Sequence, residues 1–64
     1  MVMAKFIEIV TINNNDVFIN INCISEIMRE KSANNAKIYL INNQEEFYIV
    51  PDYDEVIKRI KALL

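Results

Sequence analysis

Sixty-four residues carry 53% hydrophobic and 25% charged side chains, a net charge of -2, and no His, Trp or Gly. That length allows one domain, and the lone Cys23 rules out an intrachain disulfide and, with no His, leaves few metal ligands. A sequence pI near 4.9 weighs against broad nucleic-acid binding.

Residues 5–12 read as a strand rich in Ile, Val, Phe and Thr. Odd positions hold Ile7 and Ile9, and even positions hold Phe6, Val10 and Ile12. Both faces are apolar, which predicts a strand covered on both sides or placed at an interface. Asn13-Asn14-Asn15-Asp16 is a turn, because Asn and Asp tolerate the left-handed conformation in a chain without Gly. Residues 17–22 form a second predicted strand. There Val17, Ile19 and Ile21 alternate with Phe18, Asn20 and Asn22.

Residues 23–31 leave two readings open. Ile24, Ile27, Met28 and Lys31 fit helical spacing, with Asn22 as N-cap. A strand over 24–29 instead completes a meander with short connections. Residues 32–35 are a loop, and residues 37–41 are a strand of β-branched and aromatic side chains. Asn42-Asn43 suits a two-residue hairpin turn. Residues 46–50 form the last strand, which Pro51 ends because it has no N–H for a ladder.

A helix is predicted over 53–64. Asp52 stands as N-cap with Glu55 three residues later. Tyr53, Val56, Ile57, Ile60, Leu63 and Leu64 form its apolar face, and Lys58, Arg59 and Lys61 its polar one. The expected fold is α+β: a four- to five-stranded antiparallel meander, with barrel closure as a variant, and one C-terminal helix packed on the sheet. It is a single domain over 1–64.

One helix covers one sheet face. The other face, assigned to Phe18, Tyr39, Ile41, Tyr48 and Val50, then needs a second cover. A domain this short buries only about 60% of its unfolded surface and leans on disulfides, metals or partners. A second subunit is therefore the expected cover.

The chemistry-bearing residues point the same way. Cys23 lies between Ile21 and Ile24 with no His to serve as base, which suits an apolar role better than a nucleophilic one. Asp52, Asp54 and Glu55 read as capping and dipole charges, and Glu45-Glu46 as a solvated hairpin end. No catalytic, metal or cofactor residue is assigned. Arg29, Lys31 and Lys37 are the candidate nucleic-acid contacts, with Tyr39 and Tyr48 as stacking surfaces. Glu26 and Glu30 among them suit an ordinary solvated face.

Apolar runs reach four residues, as in Ile38-Tyr39-Leu40-Ile41, far below the ~20 of a membrane helix. No charged start leads into an apolar segment of the secretory type. With one unpaired Cys, this suggests a cytoplasmic protein without membrane contact. Residues with AT-rich codons (Phe, Tyr, Met, Ile, Asn, Lys) number 35 of 64, against 7 with GC-rich codons (Gly, Ala, Arg, Pro). That bias suggests a low-GC bacterium or its phage.

The run from Phe6 to Leu64 resembles small bacterial and phage proteins of the FlbD (swarming motility) type. The features are Phe6–Ile12, the Asn13–Asp16 turn, the strand ending Ile19-Asn20-Ile21-Asn22, and Ile24-Ser25-Glu26-Ile27. They continue through Lys37–Ile41, Asn42-Asn43, Phe47-Tyr48-Ile49-Val50 and the capped helix from Asp52. The resemblance implies a strand at residues 24–29. The chain departs from that pattern in having Asn43 where the turn Gly is usual. The segment from Ile21 onward is also similar to the second half of LytTR-type domains and to the meander of Sm-like barrels. Both imply nucleic acid, although the chain lacks the Sm glycine signatures and is shorter than a LytTR domain.

The expected function is a non-enzymatic, homo-oligomeric binding or accessory module. The alternatives are nucleic-acid binding in the Sm-like or LytTR-like manner, and a phage-encoded inhibitor or sponge of host machinery that binds a protein partner or a nucleotide at a subunit interface.

Overall fold

A computed structural model describes residues 5–41 and 43–64, and for residues 43–45 the backbone alone. The described strands are β1 (Phe6–Val10), β2 (Asp16–Asn20), β3 (Ile24–Glu30), β4 (Asn35–Leu40) and β5 (Asn43–Pro51). They are followed by helix α1 (Tyr53–Leu63). β1 and β2 pair as an antiparallel hairpin, and β3, β4 and β5 form an antiparallel meander with β4 central. The fold is α+β, and the two sheets do not close into a barrel. A backbone bond links the end of the hairpin to β5: the Ile12 N–H donates to the Ile49 carbonyl at 2.9 Å.

β1 is shorter than its apolar run because the chain already turns at Thr11. The Thr11 N–H donates to the Asn15 carbonyl (3.0 Å), and Thr11 Oγ1 accepts from the Asn15 N–H (3.2 Å). Asn14 takes φ 63° in that turn, and Asn34 takes φ 52° in the β3–β4 turn. Asparagine thus holds left-handed positions that glycine usually fills. Asp16, expected in the turn, opens β2 instead, opposite Val10.

Residues 21–23 form a 3-10 turn, and residues 24–30 a strand. Helical spacing yields to pairing here, because β4 lies alongside and sets Ile27 against Ile38 and Met28 against Lys37. The expected cap Asn22 sits inside the short turn. Asn20 caps it, its side chain accepting from the Asn22 N–H at 3.0 Å.

β5 begins earlier than expected. Tyr39 pairs with Phe47, but Leu40 pairs with Asn43, so the register shifts between these two pairs. The expected Asn42-Asn43 turn falls partly on Asn42, which lies outside the described residues.

The core joins both sheets and the helix: Ile7, Ile9, Ile19, Ile21, Ala36, Ile38, Val50 and Val56. Ile38 is fully buried because β4 is flanked by a strand on each side and faces α1. The Asp52 side chain accepts from the Glu55 N–H at 3.2 Å and starts α1, from an unusual backbone position for a cap, φ 65°. Val56, Ile60, Leu63 and Tyr53 face the core. Leu64, assigned to the same apolar face, lies beyond the last turn and is 84% exposed.

Candidate functional site

Hairpin register decides what each strand shows to solvent. Ile7 opposes Ile19 and Ile9 opposes Val17 on the inner face. Phe6 opposes Asn20, Glu8 opposes Phe18 and Val10 opposes Asp16 on the outer face. Phe6 is 52% exposed and Phe18 68%, and their rings meet edge to face with centroids 6.4 Å apart. A phenylalanine presents about 150–250 Å2, so the two rings leave on the order of 200 Å2 uncovered. Val10 and Ile12 are also exposed. Together they make the outer face of the hairpin largely apolar.

The meander has an outer face of its own. Tyr39 and Phe47 are opposite one another with centroids 5.3 Å apart, and Met28 is exposed opposite Lys37. The Lys37 ammonium lies 5.0 Å from the Phe47 centroid.

The five residues expected to share one uncovered face do not share it. Phe18 is on the outer face of the hairpin, and Tyr39 is on the outer face of the meander. Ile41 is exposed just after β4. Val50 is only 4% exposed within the core, and Tyr48 packs against that core. The cause is alternation: Val50 and Tyr48 sit opposite Ala36 and Ile38, the inner residues of β4. Phe6, Val10, Met28 and Phe47 were not assigned to that face. The signal for Phe6 and Val10 was present as the second apolar face of residues 5–12.

The three candidate nucleic-acid contacts also separate. Arg29 Nη2 donates to Asp54 Oδ1 at 2.8 Å, and its guanidinium lies 4.5 Å from the Tyr53 ring centroid. Lys37 Nζ is 3.8 Å from Glu30 Oε2. Lys31 is exposed in the turn after β3. Two of the three cations thus already face a carboxylate, which cuts the positive field that a phosphate backbone would meet.

Cys23 is half-buried in the 3-10 turn. Asp52 caps the helix and Asp54 holds Arg29, so two of the three carboxylates near the helix start have structural partners. Among the described residues no three Cys, Asp or Glu side chains cluster as a metal site. No helix there is long and apolar enough to cross a membrane. A cleft of about 190 Å3 lies where the hairpin meets β5, lined by Thr11, Ile12, Val17, Phe47, Tyr48 and Ile49. Sites for small molecules usually span about 300–1,000 Å3. A shallow depression of about 420 Å3 lies over Ser25, Glu26, Met28 and Tyr39.

Comparison with known protein families, curated proteins and solved structures found no match for this chain.

Proposed function

We propose that the chain is a non-enzymatic, homo-oligomeric module with a binding or accessory role, its copies meeting at the β1–β2 hairpin, whose outer face is apolar. The carrying observation is the Phe6–Phe18 pair, edge to face and more than half exposed on a two-stranded sheet. A hairpin alone is marginal in water, and here the inner face is already used by the core. Packing these rings beside those of a second copy would recover part of the apolar area that the monomer leaves wet.

A non-enzymatic role is supported by the dispersal of the reactive groups. Cys23 has no imidazole to activate it in a chain without His. The nucleic-acid reading is the weaker one, because Arg29 and Lys37 are each paired with an acid. Sedimentation velocity of the full chain at micromolar concentration tests the proposal: a dimer or higher species is expected, and a folded monomer throughout overturns it.

A further inference from the structure

Which part of the hairpin meets the second copy follows from its open edge. In an antiparallel pair, successive residues turn their N–H and C=O groups alternately towards and away from the partner strand. The Thr11 N–H to Asn15 bond and the Ile21 N–H to Lys5 bond lie between the two chain segments of the hairpin. Odd-numbered residues of β1 and β2 therefore pair within the hairpin. Asp16 and Phe18, together with the Asn20 N–H, point to the far side of β2. Among the described residues no strand pairs there.

The free edges differ in protection. β3, the outer strand of the meander, carries Glu26, Arg29 and Glu30 and a register irregularity between Ile24 and Glu26. Charges and bulges are the usual defences of an edge against further pairing. The far edge of β1 is turned towards β5 by the Ile12–Ile49 bond. β2 has one charge, Asp16, no bulge in its pairing with β1, and the exposed Phe18 ring at its centre.

The β2 sequence is also complementary to itself when reversed. Placed antiparallel about Phe18, Asp16 stands opposite the partner's Asn20. The Asn20 side-chain oxygen is already taken by the Asn22 N–H, which leaves its Nδ2 group to donate to a carboxylate. The two Asp16 carboxylates fall about 14 Å apart, four strand residues from one another, so they repel little. The two Phe18 rings meet on the axis, and Phe6 extends the aromatic row on either side.

We propose that a second copy of this chain adds to the β2 edge, antiparallel about a two-fold axis at Phe18, and continues the hairpin into a four-stranded sheet. This rests on the homo-oligomeric reading above and names its surface. The test uses Cys23→Ser as background, with Phe18→Cys or Phe6→Cys added, and circular dichroism to confirm folding. The two Cα atoms at position 18 would stand about 5.5 Å apart, within disulfide reach. The two at position 6 would be three strand spacings apart laterally and four residues apart along the strands, about 20 Å in all, beyond it. Mild oxidation is expected to cross-link most of the Phe18→Cys protein and little of the Phe6→Cys protein. Phe18→Lys, at an exposed position, is expected to sediment as a folded monomer. Equal cross-linking at both positions, or a Phe18→Lys protein that remains dimeric, overturns the edge geometry while leaving the oligomer in place. A wild-type chain that is monomeric overturns the oligomeric reading itself.

Discussion

Arg29 on β3 and Asp54 in the first turn of α1 are joined by a 2.8 Å hydrogen bond, and the same guanidinium covers the Tyr53 ring. This contact fastens the edge of the meander to the start of the helix. Both side chains are largely exposed (49% and 71%), so solvent screens the pair. Arg29→Ala is expected to lower stability by about 1 kcal/mol, the screened ion pair and the cation–π contact together. Urea denaturation checks this, and the difference from wild type should shrink in high salt.

Asp52 combines two demands that usually fall on different residues. It caps α1 and it holds φ 65°. Asp52→Asn keeps both abilities and is expected to change stability by less than about 0.5 kcal/mol. Asp52→Gly relieves the backbone but loses the cap, a small net effect. Asp52→Ala loses the cap and the local hydrogen bonding that makes the left-handed conformation tolerable, about 2 kcal/mol in all. Thermal melts of the three variants should rank Ala clearly last.

Asn14 and Asn34 test the same backbone argument inside turns. Both occupy the left-handed region, and the Asn34 carbonyl also accepts from the Tyr53 N–H at 2.9 Å. Glycine at either position is expected to be neutral or slightly stabilising, and alanine to cost about 1 kcal/mol. A Gly variant that melts well below its Ala counterpart would contradict the conformational assignment.

Ile38 is fully buried at the centre of the meander. Ile38→Val is expected to cost about 0.5–1.5 kcal/mol and Ile38→Ala about 2–5 kcal/mol. A domain of this size holds only about 3–10 kcal/mol in total. The Ala variant should therefore be partly unfolded at room temperature by circular dichroism, and the Val variant folded.

Much of this fold is legible in local chemistry. The helix was readable from Asp52, Glu55 and the spacing of Val56, Ile60 and Leu63, because capping and amphipathic period act within a few residues. The turns holding Asn14 and Asn34 were readable from their asparagines, since a chain without Gly has few other residues for positive φ, whereas the 3-10 turn at Ile21–Cys23 falls where a strand is expected. The 23–31 segment was ambiguous because Ile24, Ile27 and Met28 satisfy two periods at once. Only pairing with β4, a contact made across the sequence, selects the strand.

The candidate surface was legible only in part. The two-sided apolarity of residues 5–12 predicts a strand covered on both sides or placed at an interface, whereas within the chain its outer face, with Phe6 and Val10, is exposed. Membership of the remaining face could not be read strand by strand. A shift of one residue moves every side chain to the opposite side, and the register of β5 on β4 put Val50 and Tyr48 inside. The cations were likewise visible as Arg29, Lys31 and Lys37, while their acidic partners Asp54 and Glu30 were assigned by tertiary packing.

Local chemistry was enough for the element types outside residues 21–31, the α+β class and an apolar content greater than one helix can cover, because propensity, capping and composition are local or additive. The tertiary structure alone decided which apolar residues face water, which charges are paired, and that the sheets stay open. Those depend on strand register and on contacts between residues far apart in the chain, where no local pattern carries the information.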